Sequence, residues 1–228
     1  MDILHHHPGL RRPPRTEVIP KPGGGTRCLI RLDAGDADTY RRLVAGVAPA
    51  IERSLGPRVM ANRVSGPPLQ LEDWRVAHRR WRRVVGSGGG VRLRLDVADC
   101  YASIRPDTVT AALASLGAES EALDRFLHQL AEHGVAGLPV GPEASAVLAN
   151  AVLHRLDAAI ACMGAPHVRW VDDVVAVADG WRHARRVLDA ARRSLEGLGL
   201  RPNMEKTLVE EDRSRTCGTV SFVPSGVR

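Results

Sequence analysis

Lysine is close to absent from this chain of 228 residues: it occurs at Lys21 and Lys206 alone, so 30 of the 32 basic residues are arginine. A compositional bias of the source explains most of that imbalance, yet it makes each position that kept lysine worth asking about. Cysteine is sparse too. Cys28, Cys100, Cys162 and Cys217 lie far apart, with no C-x-x-C pair and no histidine at ligand spacing. That excludes a zinc finger or a disulfide framework and points to reduced thiols in the cytoplasm. Aromatic residues make up only 4%, so base stacking is not expected as the main grip on any nucleic acid. No apolar run reaches the roughly 18 residues of a membrane span, so no membrane partner is expected. The opening MDILHHHPGL has no basic stretch followed by an apolar one, which excludes a signal peptide and leaves His5, His6 and His7 as a solvated tail.

What is present is globular. Hydrophobic residues at 44% and charged residues at 25% exclude intrinsic disorder. A chain of this length buries roughly 70% of its unfolded surface without a covalent staple, as one large domain or two small ones sharing a core. The net charge of +6 and pI near 9.7 fit a polyanionic partner.

The chain opens with β-like flanks around Pro22-Gly23-Gly24-Gly25, which read as a hairpin tip between 17–19 and 27–32. Leu43, Val44, Val47 and Ile51 recur at helical spacing over 37–54, closed by Gly56-Pro57. Ser65-Gly66-Pro67-Pro68 breaks the chain, and a strongly basic helix with Trp74 and Trp81 follows over 71–84. Its Arg75, Arg79, Arg80, Arg82 and Arg83 suit template phosphates as well as a solvated face. Ser87-Gly88-Gly89-Gly90 is the clearest seam. It launches Val91, Leu93 and Leu95 alternating with Arg92, Arg94 and Asp96, a half-buried strand ending on a carboxylate. Helices are expected at 106–116, 119–133 and 143–162, the last opened by Pro142. HVRWV (167–171) and VVAVA (174–178) then form a hairpin turning on Asp172-Asp173 alone. A helix at 181–197 and strands near 206–211 and 217–223 finish the chain. From Val91 onward this is the βαββαβ order of a split βαβ sheet in an α+β protein.

In that sheet the strand carrying Asp96 neighbours the hairpin carrying Asp172 and Asp173, so the three carboxylates meet. Asp-Asp at a hairpin tip is good turn chemistry by itself. With a third carboxylate beside it, the cluster repels itself unless something neutralises it. A pair of Mg²⁺ ions does so, and such a pair serves in-line displacement at phosphorus.

Here the sequence resembles the reverse transcriptases, over nearly its whole length. LRLDVADCYASI (93–104) is similar to their first palm motif, and GLPVGPEASAVLAN (137–150) to the L-P-Q-G motif with its Ser four residues beyond the Gly. RWVDDVV (169–175) resembles the aromatic-x-Asp-Asp motif, LGLRPNMEKT (198–207) the motif closed by Lys-Thr, and IPKPGGGTR (19–27) the fingers hairpin of bacterial members. The resemblance implies a right-hand polymerase: a fingers region over 1–88, and a ferredoxin-like palm over 89–228 with fingers helices within about 105–140. No thumb is recognisable in VSFVPSGVR (220–228), so the duplex would be held by a partner protein or a homo-oligomer.

The resemblance further implies that Asp96, Asp172 and Asp173 bind two Mg²⁺ ions, with Mn²⁺ as a substitute. Lys21 and Arg27 would grip the triphosphate of an incoming dNTP. Tyr101 would pack under the sugar and exclude a 2′-hydroxyl, and Val97 and Gly141 would complete substrate binding. Lys206 would protonate the leaving pyrophosphate, which lysine can do near neutral pH and arginine cannot. The expected activity is RNA-directed DNA synthesis on an RNA template from a DNA or RNA primer.

Two positions depart from the family pattern. Val140 replaces the Gln of L-P-Q-G and Trp170 the usual Tyr or Phe. An aliphatic residue at the first is similar to the diversity-generating and defence-associated bacterial enzymes, which suggests a role in phage defence. Two other readings stay open: a non-catalytic subunit that binds RNA or scaffolds a partner, and a template-independent DNA polymerase of the same fold.

Overall fold

A computed structural model describes residues 10–21, 24–85 and 90–211. The expected strand at 217–223, Cys217, the histidine tail, Pro22-Gly23 and Ser87 to Gly89 lie outside the described residues. The chain divides into two compact units: residues 1–55, 62–71 and 99–152 form one, and 56–61, 72–98 and 153–228 the other.

The first unit opens with an antiparallel hairpin, β1 (Arg15–Pro20) and β2 (Thr26–Arg31), in register from Arg15↔Arg31 to Pro20↔Thr26. α1 (Ala34–Ser54) starts three residues earlier than the hydrophobic spacing predicts, because the Asp33 carboxylate accepts the Gly35 N–H and caps it. Its buried face is Tyr40, Val44, Val47, Ala48 and Ile51. β3 (Val64–Gly66) and β4 (Gln70–Leu71) make a short hairpin where only a chain break was expected. After α3 (Cys100–Ser103) come α4 (Pro106–Ser115) and α5 (Glu121–Glu132), close to the expected bounds. Tyr40 is fully buried, stacked on Phe126 at 5.3 Å between ring centroids, and its hydroxyl lies 3.1 Å from Ser145 Oγ. Burial pushes the Tyr40 phenol well above its ordinary range, so it stays a neutral hydrogen-bonding group.

The second unit is built on a four-stranded antiparallel sheet in the order β6-β7-β5-β8. Its strands are β5 (Val91–Leu95), β6 (His167–Trp170), β7 (Asp173–Ala178) and β8 (Leu208–Glu211). With strands numbered by appearance this is 2-3-1-4, the order of a split βαβ sheet. Val91, Leu93 and Leu95 are buried while Arg92 and Arg94 face outward, as the alternation requires. β5 is preceded by Gly90, whose φ is +117° and where a Cβ would lie 2.8 Å from the Ala178 carbonyl oxygen. Only glycine lets the two strands start side by side there.

α2 (Trp74–Val85) belongs with this sheet, whereas a boundary at residue 88 would group it with the N-terminal strands. The reason is apolar contact: Trp81 and Val85 pack on the Met60, Val168 and Val175 cluster. α7 (Trp181–Glu196) buries Ala184, Val187, Ala191 and Leu195, and Ala184 joins Val91 and Ala178 in a second cluster.

α6 (Glu143–Cys162) runs from the first unit into the second. By length and composition it is apolar enough to cross a membrane, which a search for unbroken apolar runs does not reveal. Val147, Leu148, Val152, Leu156 and Ile160 are all fully buried in protein, so its hydrophobicity serves the core.

Gly137 is the tightest backbone approach in the first unit. A Cβ there would sit 2.2 Å from the Ala102 carbonyl oxygen, and the next residue's N–H donates to the Tyr101 carbonyl at 2.8 Å. Gly137→Ala is therefore expected to lower stability by roughly 1–3 kcal/mol, measured by urea denaturation. Gly46→Ala is the control, because its Cβ meets nothing within 4 Å.

Candidate active site

Asp96 is the first residue beyond β5, and it is 5% exposed. The pairing of β5 continues past its end. Val97 bridges Pro202, the Ala98 N–H donates to Arg201, and the Asn203 N–H donates to the Asp96 carbonyl at 2.7 Å. Asn203 then organises a tight turn. Its side-chain oxygen accepts the Glu205 N–H, while its carbonyl accepts from the Lys206 and Thr207 N–H groups and the Thr207 hydroxyl. That turn brings Lys206 Nζ within 3.1 Å of Asp96 Oδ2, across 110 positions of sequence. The lysine is 66% exposed at its side chain and the aspartate 7%, so a largely solvated cation meets a nearly buried anion.

The other two carboxylates come from the β6–β7 hairpin. Its turn residues are Val171 and Asp172; Asp173 is the first residue of β7, paired with Trp170. The expected turn of Asp172-Asp173 is thus shifted by one residue. Alternation is the reason: in strand register, Asp173 opposes Trp170, leaving two residues to turn the chain. Val171 adopts φ +56°, a conformation that hairpin turns usually give to glycine and that a β-branched residue resists. Such strain costs of the order of 1–3 kcal/mol and persists only where surroundings impose it.

Arg169 imposes it. Fully buried, its guanidinium donates to both Asp157 oxygens at 2.7–3.0 Å and to the Val171 carbonyl at 3.0 Å. Asp157, on α6, also lies 3.4 Å from His167 Nε2. Burial alone would raise the Asp157 pKa, but the Arg169 charge and the hydrogen bonds from His167 and Arg169 hold it below the usual carboxylate range. The sequence signal for this brace was weak, since one arginine among thirty attracts no notice.

The three aspartates therefore converge within one unit and feel one another. Burial pushes the Asp172 carboxyl up to about 6; the Asp173 and Asp96 charges add to this, while its own N–H and Lys206 oppose it. Asp173 is also raised, first by burial and then by the Asp96 charge, with a hydrogen bond shared with Asp96. Lys206 is raised above its ordinary value, chiefly by its hydrogen bond to Asp96, and so holds its proton at neutral pH. Negative charge is gathered here beyond what one ammonium neutralises. Carboxylate oxygens in that condition suit a hard divalent cation. Among the described residues, however, no three acidic, histidine or cysteine side chains stand in metal-ligating arrangement, and Lys206 supplies the one cation at Asp96.

The remaining predicted residues fall elsewhere. Val97 is 1% exposed, so its side chain faces the core instead of a ligand. Lys21, Arg27, Tyr101 and Gly141 belong to the first unit. Lys21 and Arg27 are exposed at the two sides of the β1–β2 turn, where the Lys21 N–H donates to Gly25 at 3.0 Å. Gly141 follows Val140, whose carbonyl accepts the Ile30 N–H at 2.8 Å and ties this loop to β2. Tyr101 is half-buried on α3.

Comparison with known proteins adds the following. A family model described as reverse transcriptase (RNA-dependent DNA polymerase) matches residues 19–219. No curated protein matches the sequence. Among solved structures, apo telomerase from Candida tropicalis truncated from its C-terminal domain is similar at TM-score 0.56 and 15% identity, covering 94% of this chain and 54% of that one. Telomerase from Candida albicans in complex with a TWJ fragment of telomeric RNA gives 0.58 and 14%, covering 95% and 44%. The chain thus spans about half the length of these structures, and the likeness is one of fold.

The raised Asp172 pKa has a stability consequence. A carboxyl whose folded pKa lies above its unfolded value favours the fold at acid pH and loses that contribution as pH rises through about 6. Asp172→Asn should therefore stabilise the protein at pH 7.5, by up to roughly 3 kcal/mol, with the gain gone near pH 4. Denaturant titrations of both proteins at the two pH values measure it, and equal midpoints at pH 7.5 would contradict the charge crowding. Removing the brace acts oppositely: Arg169→Met strips the buried Asp157 of its guanidinium, leaving His167 beside it, and should cost roughly 3–5 kcal/mol in the same titration.

Proposed function

This chain belongs to the reverse transcriptase (RNA-dependent DNA polymerase) family, and from that premise we propose that it extends a primer with dNTPs on an RNA template. The observation that carries the reading is the contact of Lys206 with Asp96, in the same unit as Asp172 and Asp173 of the β6–β7 hairpin. In this reading the unit of the four-stranded sheet is the palm and the unit of the β1–β2 hairpin supplies the fingers.

Asp96, Asp172 and Asp173 would hold Mg²⁺, or Mn²⁺ in its place. When bound, the metal supplies the positive charge that the crowded carboxylates lack and that the phosphates of a nucleotide demand. The protein's own groups account for the rest. The primer 3′-hydroxyl gives its proton to solvent as its oxygen bonds the α-phosphorus and the bond from that phosphorus to the β-phosphate oxygen breaks. Lys206, held protonated by Asp96, gives its proton to the departing pyrophosphate. Lys21 and Arg27, exposed beside the hairpin turn, bind the triphosphate, and Tyr101 sits under the sugar and favours dNTPs. Arg169 is a positioning residue, since it acts on Asp172 only through the Val171 carbonyl. Val140, aliphatic where much of the family carries Gln, supports placing the chain with the bacterial defence-associated enzymes.

The test is incorporation of labelled dNTPs on a primed RNA with Mg²⁺. Asp172→Asn should abolish it in a protein that folds at least as stably as the wild type. Lys206→Arg keeps the charge beside Asp96 but cannot donate a proton, and should lower kcat by roughly 10²–10⁴-fold with little change in KM. Absence of incorporation by the wild type would favour the scaffold reading. Products that ignore template sequence would favour untemplated synthesis.

A further inference from the structure

Aromatic residues are few, but they are not scattered. Three of the four tryptophans stand in one ladder with a histidine. Trp74 faces His78 at 6.2 Å, His78 stacks on Trp81 at 5.6 Å, and Trp170 closes on both at 5.2 and 6.1 Å. The low aromatic percentage thus conceals a local concentration. One end of the ladder is Trp170, paired with Asp173 at the carboxylate turn. The other end is Trp74, 61% exposed, with the Arg75 guanidinium 5.4 Å over its ring.

Helical spacing lays a second stripe beside the first. Trp74, His78 and Trp81 recur at i, i+4 and i+7, and Arg75, Arg79 and Arg82 recur at the same intervals one residue on. α2 contains no acidic residue. Among the described residues Arg80 alone of its arginines has a carboxylate partner, Glu72 at 3.0 Å. Trp81 and Val85 anchor the helix on the sheet, so its exposed cations and Trp74 are not needed for that packing.

We propose that this paired stripe is a platform for single-stranded RNA, with bases stacking on Trp74 and phosphates lying against Arg79 and Arg82. Exposed indole favours unpaired bases, because a duplex keeps its ring faces occupied. Guanidiniums recurring along one helix favour a phosphate backbone over an acidic protein, whose carboxylates do not recur in a line. The ladder then leads an unpaired strand toward the carboxylate turn; only the identity of that strand as a template rests on the polymerase reading.

The experiment is fluorescence-anisotropy binding of an oligo(rU) to the full chain, without dNTPs or divalent metal, over a salt series. Trp74→Ala should weaken binding by roughly tenfold with the salt slope unchanged, and Trp74→Phe should restore most of it. Arg79→Gln with Arg82→Gln should instead flatten the slope by about 1.4, at roughly 0.7 per phosphate released. A duplex RNA of equal length should bind more weakly and ignore Trp74→Ala. Unchanged affinity in Trp74→Ala, or equal competition by duplex, overturns the platform and leaves this face to an acidic protein. Asp172→Asn carried through the same titration keeps the two readings apart: it should bind RNA as well as the wild type. RNA binding without DNA synthesis by the wild type would sink the polymerase and spare the platform.

Discussion

Crowding of negative charge at the ends of two neighbouring strands is the constraint on which the second unit depends. β5 and β7 lie side by side, so Asp96 at the end of one meets Asp173 at the start of the other, with Asp172 one residue away. Their burial and mutual repulsion oppose folding, and the raised Asp172 and Asp173 pKa values are the signature of both, burial first. The protein offsets part of it with one ammonium, presented by a turn that Asn203 organises. An arrangement that costs stability, with Asp173 and Lys206 left exposed beside a nearly buried Asp96, has the physics of a site.

A second, hidden charge holds that arrangement in shape. Arg169 is fully buried yet ion-paired to Asp157, and through the Val171 carbonyl it restrains a turn whose φ is unfavourable for valine. Burying such a pair gives little net stability, because desolvation consumes most of the attraction. What it provides is direction: the planar guanidinium fixes the turn from the inside, next to the half-buried Asp172. The two charge systems are complementary. One is open and short of positive charge; the other is closed and satisfied.

Resemblance to a family motif does not make a residue part of its chemistry. Ser145, the serine of the 137–150 stretch, is fully buried beside the Tyr40 hydroxyl, and Gly137 is required by the backbone of Ala102. Both are architectural in the first unit. Val97, one residue past Asp96, is buried as well, and alternation along an extended chain places their two side chains on opposite faces.

The linear order of residues was enough to determine the main helices and the strand order of the four-stranded sheet, though not the short β3–β4 hairpin. Period-2 alternation over 91–96 and the apolar runs around residue 172 each state a local preference that the backbone obeys. From these, convergence of the aspartates follows by topology alone. Only the tertiary structure decided the turn register, the Arg169 brace, the Lys206 contact and the gathering of three tryptophans into one ladder. The Lys206 contact and the tryptophan ladder depend on distances between segments tens of residues apart. Composition averages over such distances and periodicity never spans them, so a chain with few aromatics can still concentrate them, and one arginine among thirty can be the one that matters.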